Sequence, residues 1–180
     1  MNNVVSHLST ALGPLRAEIR AASWFAALGE PLTGGDLADA KAYAEAADVA
    51  VLTSWPEAER FLKSPDVSLD WWDREEATRK ALLAKARARY PEDALLTSLT
   101  ELTTEAGDLV HGKAAVAATR MGGAAPASVH VAAGAAAQAV YQLAVARIAG
   151  ATGSRFESKF RLFAAGRWPL GVVGSKLSLF

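Results

Sequence analysis

Apolar residues recur at helical spacing along most of the 180-residue chain, and most densely over residues 91–151. That stretch reads as two long alanine-rich helices, broken once at Met121-Gly122-Gly123 and Pro126. Pro91 starts the first helix, and Leu95, Leu99, Leu102, Ala106, Leu109 and Val116 mark its core face. The second begins near Pro126 or Ser128 and presents Ala132, Ala136, Ala139, Leu143 and Ala146. Alanine loses no rotamer freedom on entering a helix, and its small side chain lets neighbouring helices approach. These two helices are therefore expected to form the spine of a helical domain. Gly134 costs its helix about 1 kcal/mol against alanine, a cost expected where a neighbour packs closely.

The N-terminal half carries several helix-start signals. Gly13-Pro14 opens a helix with apolar stripe Leu15, Ile19, Ala22 and Ala26, ended by Gly29. Val5, Leu8 and Leu12 mark a short helical arm before it. Thr33-Gly34-Gly35-Asp36 has capping-box spacing and opens a helix burying Leu37, Ala40, Ala44, Ala47 and Val51. Ser54-Trp55-Pro56-Glu57 repeats that logic for a short helix through Phe61 and Leu62, closed by Ser64-Pro65. Ser68 or Asp70 caps the next helix, which runs to about Tyr90. Two seams fit it: Trp72, Glu76, Arg79, Leu83, Ala86 and Tyr90, or Ala77, Ala81, Ala84 and Ala88.

The pattern changes after residue 153. Ser154-Arg155-Phe156-Glu157 has the form of a full capping box, opening a short helix that Gly166 stops. Phe156, Phe160, Phe163 and Ala164 share one face of it. Period-two alternation follows around Gly174-Ser175, a two-residue hairpin turn with glycine at the position needing positive φ. The register pairs Val173 with Lys176, Val172 with Leu177 and Leu170 with Leu179. An isolated hairpin is marginal in water, so this unit is expected to lie on the helices or on a partner subunit. The pattern as a whole predicts an all-α bundle of five to seven helices with a small C-terminal β-hairpin. It is read as one domain whose residues 154–180 form a packed appendage.

Composition narrows the classes. With no cysteine, structural disulfides, thiolate metal sites and cysteine nucleophiles are ruled out. Formal net charge is +0, which gives no general pull toward nucleic acid or anionic lipid. The charge is nevertheless segregated. Residues 30–76 carry 12 acidic and 4 basic side chains, and residues 113–180 carry 8 basic and 1 acidic. Opposite blocks in a small domain are expected to pack against each other. The N-terminus lacks a basic segment followed by an apolar run, so no signal peptide is expected. The most membrane-like window, residues 129–151, contains His130, Gln138, Gln142 and Arg147, so no membrane span is expected. A cytoplasmic bacterial protein is the expectation.

Candidate chemistry is sparse. Glu101, Glu105 and Asp108 share one helix stripe, with His111 a turn beyond. Carboxylate oxygens suit Mg²⁺ or Mn²⁺. Glu105-Ala106-Gly107-Asp108-Leu109 resembles the Glu-x-x-Asp element of the all-α NTP pyrophosphatases. Their second element, Glu-Glu-x-x-Glu, has its nearest match at Glu75-Glu76, with Arg79 where a glutamate is expected. That resemblance implies a Mg²⁺-dependent nucleotide pyrophosphatase acting through Glu76, Glu101, Glu105 and Asp108. His7, His111 and His130 are far apart, and none has a ligand partner at metal spacing on its own helix. No serine lies in a Gly-x-Ser-x-Gly or Ser-x-x-Lys arrangement, and no glycine pair forms a phosphate loop.

Arg167 and Trp168, beside Phe160 and Phe163, are candidate interface residues, since tryptophan and arginine are enriched at binding hot spots. The basic residues around Trp168, including Lys159, Arg161 and Lys176, are too few to predict binding of single-stranded nucleic acid. The leading expectation is a non-enzymatic interaction or accessory protein that binds a protein partner or self-associates through alanine-rich or C-terminal surfaces. It needs no cofactor; the pyrophosphatase reading needs Mg²⁺.

Overall fold

Proline in the first turn and hydroxyl or carboxylate caps start helices where the local signals place them. The computed structural model describes residues 2–180, so Met1 of the N-terminal segment lies outside the described residues. Helix α1 (Asn2–Ala11) continues through Leu12 into α2 (Gly13–Ala21), burying Leu8, Leu12, Leu15 and Ile19. Counted as one bent helix, these two make the bundle seven-helical. Helix α3 (Gly34–Ala44) carries the reciprocal box: Thr33 Oγ1 accepts from Asp36 N at 3.1 Å, and Asp36 Oδ2 accepts from Thr33 N at 2.9 Å. The others are α4 (Trp55–Leu62), α5 (Leu69–Arg87), α6 (Glu92–Arg120), α7 (Pro126–Ile148) and α8 (Arg155–Ala164).

The antiparallel pair α6–α7 is the spine, and every α7 position expected inside is buried. On α6 the buried face instead drifts to Val110, Ala114, Ala117 and Ala118, leaving Val116 exposed. The expected stripe steps by seven from Leu95 through Leu102 and Leu109 to Val116, whereas at 3.6 residues per turn positions seven apart rotate off the buried face by about 20° each time. Among the described residues, α7 alone is long and apolar enough to cross a membrane, and 61% of its apolar window is buried inside the fold.

Three elements differ from the local reading. First, α2 stops at Ala21 rather than at Gly29. The segment after it leaves the helix to insert Trp24 and Phe25 against Phe160 and Phe163 of α8. Trp24 Nε1 donates to the carbonyl of Ile19 at 2.8 Å, satisfying an acceptor that the shortened helix leaves open. Second, α3 ends at Ala44, where Glu45 adopts a left-handed conformation, and Asp48–Val51 form strand β1 instead of a further helical turn. Third, α5 is turned slightly from the first proposed seam, of which Ala86 is buried and Trp72, Glu76, Arg79, Leu83 and Tyr90 are half-buried. Its buried side chains are Trp71, Glu75, Leu82 and Ala86, and the all-alanine seam is exposed.

The C-terminal hairpin, β2 (Pro169–Val173) and β3 (Lys176–Leu179), forms as the alternation predicts, with Gly174 at φ 59° in the turn. Val173 faces Lys176, and Val172 faces Leu177. An irregularity between Pro169 and Gly171 then sets Pro169, not Leu170, opposite Leu179. β3 is the centre of a three-stranded sheet, because β1 pairs parallel to its free edge. Val172, Leu177 and Leu179 join Ala40, Tyr43, Trp71 and Leu162 in a second apolar cluster. Leu170 packs into the main one with Trp168 and Phe180. Gly166 ends α8 at φ 92°, where a Cβ would lie 2.6 Å from Ala27 N. The close approach lets Gly166 O accept from Ala27 N, tying α8 to the segment after α2.

Candidate functional site

The charged blocks meet inside the chain. Lys159 pairs with Glu75 at 2.7 Å, Arg161 with Asp39 at 2.7 Å, Arg167 with Asp36 at 3.1 Å and Lys176 with Asp48 at 3.6 Å. All four cations come from the basic C-terminal segment, and all four carboxylates from the acidic segment before it. Exposed pairs of this kind contribute little, so the two buried ones matter most.

Arg167 is a clamp. Its Nη1 donates to the carbonyls of Ala27 and Glu30, both at 2.6 Å, and its Nη2 donates to Pro31 O at 2.7 Å and to Asp36 Oδ2. A planar guanidinium with donors in a fixed fork suits this convergence of carbonyls. The carboxylate that caps α3 thus also neutralises Arg167. Trp168 packs on Trp55 and Phe180, and its backbone exchanges two hydrogen bonds with Phe180. Phe160 and Phe163 hold Trp24 and Phe25. The four expected interface residues Arg167, Trp168, Phe160 and Phe163 are each buried within the chain, and their surfaces are already taken.

The expected acidic residues also find partners, but in different directions. Glu76 receives Arg79 Nε at 2.6 Å, and Arg79 turns toward Tyr141 of α7. Glu105 receives Arg16 at 3.3 Å and Arg20 Nε at 3.0 Å from α2. Glu101 lies 3.8 Å from Arg16. The guanidinium groups hold the Glu105 and Glu76 carboxyls below their ordinary values. Asp108 is exposed on α6. Carboxylates of α5 and α6 do not converge, and the described residues contain no group of three or more His, Asp or Glu side chains arranged to hold a metal. The two-helix carboxylate cleft that a Mg²⁺ pyrophosphatase needs is not formed by these residues.

A buried polar network lies between α3, α5, α7 and α8. Glu75 accepts from Lys159 Nζ at 2.7 Å, Gln142 Nε2 at 2.9 Å and Tyr43 Oη at 2.5 Å. Gln142 Oε1 accepts a second bond from Lys159 at 2.9 Å. The Lys159 ammonium also sits 5.5 Å from the Tyr43 ring centroid and 5.8 Å from that of Trp72. Arg155 lies over Tyr43 and Trp71, 5.6 Å from each ring. Burial raises the Glu75 carboxyl, but the charge and hydrogen bond of Lys159 and the hydrogen bonds of Tyr43 and Gln142 outweigh it and hold Glu75 below its ordinary value. Burial lowers Lys159, Glu75 pulls it back up, and nearby Arg155 lowers it again. Burial and the Glu75 charge push Tyr43 well above the usual phenol value, so it remains a donor. Glu75 and Lys159 are each 2% exposed, and their bonds are spent on one another. The network therefore fixes the packing of four helices and presents no free acid or base to solvent.

These residues escaped the local reading. The available signals were a lysine among the phenylalanines of α8 and a glutamine, Gln142, next to the apolar run Leu143 to Ala146 of α7. One surface left open is the outer side of α7, where Ala127, His130, Val131, Gly134 and Gln138 are exposed. Their spacing places them along one strip, and no Asp, Glu, Lys or Arg occurs between residues 121 and 146. A groove of about 520 Å³ lies elsewhere, between α2, α7 and α8, with the Arg147–Glu18 ion pair at its edge. Compared with protein-family models, curated proteins and solved structures, the chain finds no match.

Proposed function

We propose that this chain is a non-enzymatic interaction protein that self-associates through the outer face of α7. The observation that carries this reading is the uncharged strip Ala127, Val131, Gly134 and Gln138, exposed on a helix with no formal charge from Pro126 to Ala146. Exposed helix surface is ordinarily rich in charge, and loss of charge is a mark of interface cores. Small side chains on the strip let a second helix come close. The adjoining face of α6 contributes Thr100, Thr103 and Ala115, which are also small and uncharged. Of the other candidate, the C-terminal unit, the aromatic residues Phe160, Phe163 and Trp168 are buried within the chain.

The single chain places nothing over Gly134: a Cβ built there meets no atom within 4 Å. The close neighbour expected at this glycine is absent within the chain, and a second copy would supply it. The test is mass in solution over a wide dilution range, for the wild type and for Val131→Lys and Gly134→Arg. Wild-type dimers or larger assemblies that either variant converts to monomer support the proposal. A wild type that is monomeric throughout, or variants that assemble unchanged, overturn it.

A further inference from the structure

His111 and His130 are separated by 19 residues in sequence and by one groove in space. His111 stands on α6 and His130 near the start of α7. The antiparallel packing of these helices brings Nε2 of His111 to 3.1 Å from Nδ1 of His130, where one imidazole N–H donates a hydrogen bond to the other ring. The ring centroids are 4.8 Å apart and the planes tilt by 32°, so the imidazoles sit side by side rather than meeting head-on. Both rings are exposed, on the rim of a groove of about 320 Å³ lined by Ala115, Ala118, Thr119 and Val129.

We propose that His111 and His130 form a binding site for a first-row transition-metal dication of the Zn²⁺, Ni²⁺ or Cu²⁺ class. Imidazole nitrogen is the ligand these ions favour, whereas Mg²⁺ prefers oxygen. Two nitrogens bound to one ion at the usual 2.0–2.1 Å lie roughly 2.9 Å apart along an octahedral edge and roughly 3.3 Å apart along a tetrahedral one. The observed 3.1 Å, now the length of a hydrogen bond between the rings, falls between those limits. An ion can therefore replace that hydrogen with little change in spacing once His111 carries its proton on Nδ1 and His130 on Nε2. A small turn of both rings would aim the two lone pairs at a shared point above the groove. Two rigid helices hold the Cα positions, so little ordering is required on binding. No third His, Asp or Glu completes the set among the described residues. The small groove side chains leave the remaining coordination positions to water, which makes this an open site. Its ligands come from one chain; because His130 lies on the same strip of α7, the titration is read at dilutions where the chain is a single copy.

The experiment is calorimetric titration of the intact protein with ZnCl₂, NiCl₂ and MgCl₂, in parallel with His111→Ala, His130→Ala and His7→Ala. One Zn²⁺ or Ni²⁺ per chain is expected, with no Mg²⁺ binding. Each of the first two substitutions should weaken Zn²⁺ binding at least tenfold, and His7→Ala should leave it unchanged. The Cu²⁺ complex should show two nitrogen ligands by electron paramagnetic resonance, and one after either substitution. Both side chains are exposed, so circular dichroism should confirm that the variants fold as the wild type does. Failure to bind Zn²⁺ or Ni²⁺, or binding that survives both single substitutions, overturns the proposal.

Discussion

A carboxylate as deeply buried as Glu75 stays ionised only because three donors, one of them the Lys159 cation, surround it. Removing the cation alone strands the charge. Lys159→Met should therefore cost about 3–5 kcal/mol, the usual penalty for breaking one side of a buried pair. Glu75→Leu combined with Lys159→Met should cost less than Lys159→Met alone, although Tyr43 and Gln142 then lose an acceptor. Urea denaturation of both variants measures the difference, and a larger loss in the double variant would contradict this account. The pH dependence follows the same logic. The folded Glu75 carboxyl titrates below its usual 4.5, so the native state holds fewer protons than the unfolded chain in acid. Its stabilisation is complete above the unfolded carboxyl value and drains away as pH falls through the folded one. Glu75→Gln should start from a lower stability at pH 7 and lose less on acidification, a flattening visible in urea midpoints measured from neutral pH down to acid.

At the scale of elements, caps decide where helices begin, but not every cap with the right residues closes. Ser68 Oγ accepts from Trp71 N at 3.2 Å and caps α5. Ser154 has the sequence of a capping box, yet its Oγ makes no bond to the start of α8 and has no partner in the chain. Glu157 supplies the other half, with Oε2 accepting from Gly153 N at 3.0 Å, one residue before the cap. Ser154→Ala should therefore shift stability by no more than about 0.5 kcal/mol, in the range of substitutions that break no specific contact. Ser68→Ala should cost about 1 kcal/mol. Thermal melts of the two variants side by side test the contrast, and equal losses would mean that Ser154 does cap α8. The same scale explains the extra strand. A hairpin leaves two open edges, and Asp48–Val51 satisfies one of them through parallel bonds to β3.

For the whole molecule, the C-terminal segment binds the other parts together. Deleting residues 167–180 removes two of three strands, the Arg167 clamp on the segment after α2, and the packing of Trp168 and Phe180 on Trp55. It would also leave Asp36 buried without its cation. Fully burying one large apolar side chain is worth roughly 1.5–3 kcal/mol, and this segment buries Trp168, Leu170, Val172, Leu177, Leu179 and Phe180. The truncated chain should unfold or aggregate, as read by circular dichroism and light scattering. A truncated protein with the wild-type melting temperature would show that the sheet is dispensable.

Signals that act over a few residues were legible from the sequence. Pro14, Pro91 and Pro126 start their helices, Thr33 and Asp36 close a capping box, Gly166 stops α8, and Gly174 turns the hairpin. Each works through its own φ or through a bond to a neighbour three residues away, so no knowledge of the fold is needed. The matching of acidic and basic blocks was also legible, because charge balance requires no geometry. What local signals left open was settled by partners distant in the chain. Residues 48–51 have a helical alternative, but the open edge of β3, some 130 residues on, makes them a strand. Either seam of α5 was acceptable locally; Lys159 and Gln142 chose the rotation that buries Glu75. Arg167 and Trp168 looked like surface hot spots until the segment after α2 and Trp55 enclosed them. His111 and His130 have no partner on their own helices, and only the antiparallel packing of α6 on α7 brings their nitrogens together. Tertiary structure decides such questions because burial and pairing depend on which surfaces meet, and local spacing determines only which surfaces are available.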